Sequence, residues 1–285
     1  MDTTNAVAKP DDDVKLINMW LYGKSSYTVR NYSQAINGLL THVDKPIRSI
    51  GLFDAQEYLN TLDCSAATLA LATNAIKSLF TFATELGYTT VNIGKGLKPP
   101  KVRSELANRI LSEDDVCRMI DLESNPRNHA LLRLLYHSGL RVSEIVALKW
   151  ENIHESKPGA VLDVWGKGEK QRYVPISQEM YAELLRLSGQ VSRDRYVFQS
   201  RKGKAGTVPM ETRQIERIIC EAAKYAGISG NVSPHWLRHS NASHALDNGA
   251  PIHVVQQSLG HESLVTTTKY THIKPGAGTG QYLKR

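Results

Sequence analysis

Between residues 94 and 109 the chain carries Gly94, Gly96, Pro99 and Pro100, followed by a charged run from Lys101 to Arg109. No helix crosses such a stretch unbroken, because proline has no N–H to donate and glycine pays the largest backbone entropy cost. The break splits the 285 residues into two pieces, each long enough to bury a core of its own. Before it, apolar residues recur at helical spacing four times: Leu16 to Leu21, Val29 to Leu40 behind Ser26 and Thr28, Phe53 to Leu62, and Ala66 to Leu86 ending at Gly87. After it, helices are expected from Ser112 as N-cap to about Leu122, over Arg127–Ser138 closed by Gly139, through Val142–Leu148, and over Glu179–Leu187 and Glu211–Ala226. A further helix is expected to start at Ser233-Pro234 and run to about Asn248. Only Ala160 to Ile176 changes period, with Val161, Leu162, Val164 and Trp165, a turn at Gly166-Lys167-Gly168, then Tyr173, Val174 and Ile176. The predicted fold is mainly α with a small antiparallel β-sheet in the second domain: a polar tail 1–13, a helical domain 14–98, a linker 99–109, a mixed domain 110–272 and a tail 273–285.

With 41% apolar residues the chain is not disordered. No stretch approaches the roughly 18 consecutive apolar residues of a membrane span, and residues 1–13 hold no apolar segment of a leader, so a soluble, cytoplasmic protein without membrane contact is expected. Cys64, Cys117 and Cys220 are odd in number and far apart, which suits buried, inert thiols better than a disulfide framework. Charge is unevenly placed. Residues 1–100 carry 9 Lys+Arg and 9 Asp+Glu, whereas residues 101–285 carry 26 and 19, so the whole excess of +7 sits in the second part. Such an excess suits a polyanionic partner as well as it suits an ordinary basic enzyme.

The residues that carry chemistry decide between them. His235 and Arg238 are three apart near a helix start, on one face, where free N–H groups and the positive dipole end favour an anion. Arg141 follows Gly139 at the mouth of another helix, with Glu144 three residues on to hold its guanidinium. Lys167 stands at a hairpin tip between two glycines, His261 follows the helix stop at Leu259-Gly260, and Tyr270 comes nine residues later.

Gly139-Leu140-Arg141-Val142-Ser143-Glu144, then Lys167, His235-Trp236-Leu237-Arg238-His239, Leu259-Gly260-His261 and Tyr270-Thr271-His272 closely resemble the tyrosine site-specific recombinases, the phage integrase and Xer-type class. The resemblance covers essentially the whole chain, with six signature positions in family order. It implies a helical core-binding domain and a catalytic domain that cuts and rejoins DNA. Tyr270 would attack a phosphodiester to give a 3′-phosphotyrosyl bond and a free 5′-hydroxyl. Arg141 and Arg238 would clamp the non-bridging oxygens in place of a metal, and Lys167 would protonate the departing 5′-oxygen. His235 and His261 would assist proton transfer, and Glu144 would orient Arg141. The bond energy is kept in the phosphotyrosine, so no ATP and no cofactor are implied; no Walker pattern is present, since Gly168 follows Lys167. The implied partners are double-stranded DNA and three further copies of the chain, a homotetramer in the synaptic complex. The two domains would close around the duplex as a clamp, and the 273–285 tail would either dock on a neighbouring protomer or fray.

Competing readings are weaker. His235 and His239 are spaced for zinc, but no Glu follows His235 and no third ligand is placed. Tyr173 is expected to be packed in its strand, Tyr282 has no preceding His, and Trp236 suits core better than base stacking. Lys170 is the runner-up for general acid. DNA contacts are expected from Lys24, Arg30 and Lys77 in the first domain and from Lys170 and Arg172 on the hairpin. An inactive DNA-binding regulator of the same fold and a type IB topoisomerase-like enzyme are the alternatives; the complete residue set opposes the first, and the missing partner extensions oppose the second.

Overall fold

A computed structural model describes residues 10–102, 109–166, 170–189, 192–200 and 207–260. The chain divides into two compact units, residues 1–104 and 105–285. Lys167, His261, Tyr270, Tyr282 and the tail 273–285 lie outside the described residues.

The first unit contains α1 (Pro10–Leu21), α2 (Ser26–Val43), α3 (Leu52–Thr61) and α4 (Ala66–Glu85). Two of these helices open on the same device. Ser25 and Ser65 each stand in extended backbone, and each hydroxyl accepts from the N–H three residues on, Thr28 or Thr68, at 3.2 Å, which satisfies one of the donors a helix start leaves over. The apolar stripes then meet in one core of Trp20, Ile36, Leu39, Ile47, Ile76, Leu79 and Phe80. Asp13 anchors the α1 end by accepting from the Ile47 N–H at 2.9 Å and the Tyr88 hydroxyl at 2.5 Å. α4 has the length and hydropathy of a membrane span, the one such helix among the described residues. In the fold its Ala75, Ile76, Leu79, Phe80 and Ala83 are buried at the centre of this core.

The second unit holds α5 (Glu113–Asp121), α6 (Pro126–Ser138), α7 (Val142–Ala147), β1 (Ile153–Glu155), β2 (Ala160–Trp165), β3 (Gln171–Ile176), α8 (Gln178–Ser188), α9 (Thr212–Tyr225), α10 (Pro234–Asp247) and α11 (Ile252–Leu259). The three strands form one antiparallel sheet in the order β1-β2-β3, with Leu162 opposite both Ile153 and Val174 and Val164 opposite Arg172. One face, with Leu162, Val164, Val174 and Ile176, is buried in a core shared with α6 (Leu131, Leu132, Leu134, Leu135) and α9 (Ile215, Ile219). The expectation of a mainly helical chain with a small antiparallel sheet holds. β1, three residues long, gave no periodic signal.

Three local expectations are corrected. Tyr173 lies on the open face of the sheet, 62% exposed, because it alternates with the buried Val174. Cys64 and Cys117 are exposed and Cys220 is half-buried, so these thiols stand on the polar sides of their segments. Ser233 takes the N-cap place of α10 in extended backbone, but its side chain makes no capping bond.

Candidate active site

The site grows from the ends of helices. α6 stops at Gly139, whose φ of 60° is the left-handed turn that closes a helix. Only glycine suits this corner, because a Cβ there would stand 2.6 Å from Asn241 Oδ1 and 2.7 Å from Leu259 Cδ2. After the buried Leu140, Arg141 becomes the N-cap of α7. Glu144, three residues on, accepts from the Arg141 backbone N–H at 2.7 Å and from Arg141 Nη1 at 2.9 Å. Its carboxylate is shared with the sheet: Arg172 lays both Nη atoms on it, at 2.8 and 2.7 Å. This fork is the strong, bidentate form of an ion pair.

α10 supplies Arg238, which is 5% exposed and donates to the carbonyls of Gly139 and Leu259. Arg141 Nη2 reaches the Gly260 carbonyl at 3.2 Å, and Arg172 Nε reaches that of Ser258 at 2.9 Å. Three guanidiniums from three segments therefore bind the last two carbonyls of α11 and that of its cap Gly260, the negative end of the helix dipole and groups left without helical partners. The chain continues from Gly260 to His261.

This concentration of cations shapes the titrating groups. Desolvation lowers the pKa of His235, and the Arg238, Arg141 and Arg109 charges lower it further, which favours the neutral imidazole although part of the ring reaches the surface. His239, with its ring 6.3 Å from that of His235, is depressed to about 4 by burial, by His235, and by Arg238 and Arg109. Burial pushes the Glu144 carboxyl up, but the Arg172 hydrogen bond, the Arg141 N–H, the Arg172 charge and the Arg141 side-chain hydrogen bond outweigh it and leave it below the ordinary value. The cluster offers fixed positive charge beside a neutral-favouring His235, an arrangement suited to an anion.

Of the expected site residues, Arg141, Glu144, His235 and Arg238 come together. Lys167 and His261 follow Gly166 and Gly260 in the chain, and both glycines lie at the cluster; a Cβ on Gly166 would stand 3.5 Å from Arg172 Nη1 and 3.7 Å from Glu144 Oε1. Arg172 is a correction. Its side chain is 10% exposed and spent on Glu144 and Ser258, so it faces inward and not toward DNA. Lys77 is another, since its ammonium donates to the carbonyls of Gly94 and Leu97 at 2.9 and 2.7 Å and ties the 93–97 turn to α4. Lys24 lies over the Trp20 ring and the exposed Arg30 over that of Tyr27, while Lys170 is exposed beside the hairpin tip. Trp236 packs half-buried against the core. Among the described residues no group of three or more His, Cys, Asp or Glu is placed to hold a metal ion.

Sequence reasoning missed Arg109, which it left in the linker. The neighbouring Leu111 N–H donates to Ser240 Oγ on α10 at 2.9 Å, which brings this end of the linker beside His239. The apolar Ile110-Leu111 pair was the signal that the chain is already docking there.

Residues 109–276 match the Phage integrase family, and residues 16–87 match the family's N-terminal SAM-like domain. The tyrosine recombinase XerC of Thermodesulfovibrio yellowstonii is 30% identical over 272 residues, 88% of this chain and 87% of the relative. A crystal structure of a lambda integrase dimer bound to a COC′ core site superposes with a TM-score of 0.74 at 21% identity, over 90% of this chain and 93% of that one. A lambda integrase tetramer bound to a Holliday junction superposes with 0.76 at 18% identity, over 94% and 78%. These two likenesses concern the fold; the family match and the XerC identity run along the sequence and take in both units, the arginine cluster and the stretch holding Tyr270. The chain is a member of the phage integrase family of tyrosine recombinases.

Proposed function

We propose that the protein is a site-specific DNA recombinase that cuts and rejoins strands through a 3′-phosphotyrosyl intermediate, acting in the cytoplasm as a homotetramer on two duplex sites. The observation that carries this reading is the junction of Arg141, Arg238 and the end of α11, where two guanidiniums are fixed before any phosphate arrives. Preorganised charge of this kind costs no rearrangement when the five-coordinate phosphorus forms. Tyr270 Oη attacks the phosphorus, the P–O5′ bond breaks, the phenolic proton passes to an imidazole, that of His235 or His261, and Lys167 gives a proton to the departing 5′-oxygen. The phosphotyrosine keeps the bond energy, and a 5′-hydroxyl from the second site reverses the step on a new partner. The fixed arginines disfavour a regulator without chemistry, which would gain little from them. Recombinant product from two sites, as opposed to relaxation alone, excludes the topoisomerase reading.

The test has two steps. Footprinting on the host's DNA locates the protected site. A duplex of that site, nicked so that the released fragment diffuses away, is then expected to trap a covalent adduct with the wild-type protein and none with Tyr270→Phe. No wild-type adduct, or an adduct with the Phe variant, overturns the reading.

A further inference from the structure

The hairpin segment that carries Lys167 and the segment that carries Tyr270 leave the described residues at Gly166 and Gly260, and one side chain touches both exits. Arg172 projects from β3 on the same face as Val174 and Ile176, opposite Val164, where an apolar residue would be the ordinary choice. Its guanidinium forks onto Glu144, its Nε holds the Ser258 carbonyl, and its Cδ, Nε and Cζ lie 3.1–3.4 Å from where a Cβ on Gly260 would be. Glu144, 3% exposed in its side chain, simultaneously holds Arg141. One buried ion pair thus joins the hairpin, the N-terminus of α7 and the end of α11. Arg141 does not depend on it for its place, since it keeps two bonds of its own to Glu144 and one to Gly260. The hairpin gains three hydrogen bonds to the site from Arg172.

We propose that Arg172 is a positioning residue for the general-acid step: it pins the root of the β2–β3 hairpin to Glu144 and Ser258, and the proton transfer assigned to Lys167 depends on that anchor. The inference rests on the recombinase reading above. A lysine reproduces the charge of Arg172 but not its planar fork, so it holds the hairpin only in part.

The experiment uses two versions of the nicked duplex of the footprinted site, one with the normal 5′-oxygen at the scissile phosphate and one with a 5′-bridging sulfur, which departs as a thiolate without needing a proton. Wild type, Arg172→Gln, Arg172→Lys and Lys167→Ala are compared in single-turnover cleavage, with duplex binding and thermal unfolding measured alongside. On the oxygen substrate Arg172→Gln is expected to lose about 10- to 100-fold in rate, part of the contribution of a placed general acid, and Arg172→Lys less. On the sulfur substrate both are expected to return to about threefold of wild type, as Lys167→Ala does, with binding unchanged. Equal losses on both substrates, or no loss on either, overturn the proposal. If Arg172→Gln fails to fold, Arg172→Lys carries the same comparison. A wild type that forms no adduct defeats the recombinase reading itself, and a Lys167→Ala that sulfur does not restore defeats the acid assignment and this inference with it.

Discussion

Glu144 is the residue on which the arginine cluster turns, because a single carboxylate with 3% exposure balances two guanidiniums. Removing its charge leaves both partly buried and uncompensated, and breaking such a pair costs about 3–5 kcal/mol. Glu144→Gln, nearly isosteric, is expected to lower the denaturant midpoint accordingly and to abolish adduct formation on the nicked duplex; retention of wild-type stability would mean the arginines are held by carbonyls alone. His239 gives a pH-dependent prediction. His239 is depressed to about 4 in the fold against an ordinary 6.5, so between those values the unfolded chain takes up a proton that the native protein refuses. Stability is therefore complete above 6.5 and falls as the pH drops toward 4. For a partly exposed side chain we expect about 1–2 kcal/mol lost between pH 7.5 and 5. Unfolding curves at the two pH values should show Glu144-intact wild type losing more than His239→Gln; equal losses would remove His239 from the account.

At the level of elements, the site is assembled from helix ends, and the two closing glycines do different work from glycines elsewhere. Gly139 has a φ of +60° and no room for a Cβ, whereas Gly249, at +89° after α10, meets nothing within 4 Å. Alanine at either costs about 1–2 kcal/mol of backbone strain. Only Gly139→Ala also pushes on Asn241 and Leu259 and shifts the carbonyl that Arg238 grips. We expect Gly139→Ala to lose about 100-fold or more in single-turnover cleavage, as small misplacements of reacting groups do, and Gly249→Ala to cleave like wild type. Similar rates for the two would show that the corner is not held to tolerance. These elements differ in how far they can be read from sequence. Ser112 announces a helix start because the cap is local chemistry, and Gly139 and Gly260 announce stops for the same reason, whereas the caps of α2 and α4, Ser25 and Ser65, are not singled out: Ser26 and Thr28 stand in for the first and no cap is named for the second. β1 is three residues long, too short for a period to show. Arg172 was legible in part: it falls on the buried register of β3 with Val174 and Ile176, which signals an ion pair, but the identity of its partner, 28 residues away, depends on how α7 packs under the sheet. Lys77 was misread because its consumers, the carbonyls of Gly94 and Leu97, become neighbours only when the turn folds back on α4.

For the whole molecule the governing quantity is how many cations remain available to a polyanion once the fold has used its own. The chain carries 35 Lys and Arg, and the excess of +7 lies beyond residue 100. Several of these charges are spent internally: Arg172 and Arg133 on Glu144 and Glu183, and Lys77 on two carbonyls. The count of 35 cations therefore overstates what DNA meets. Affinity for a nonspecific duplex should still fall steeply with salt, by about 10³-fold or more between 50 and 200 mM if six or more phosphates are neutralised. The two kinds of cation separate in the slope of log affinity against log salt. Arg30, exposed over the Tyr27 ring, is expected to lower the slope by about one when replaced by Ala, as a lost phosphate contact does. Lys77→Met should leave the slope unchanged and instead lower thermal stability, because two carbonyls lose their donor. A Lys77→Met slope that drops as far as that of Arg30→Ala would mean the ammonium leaves its carbonyls for the phosphate backbone, and that the charge counted as structural is recruited on binding.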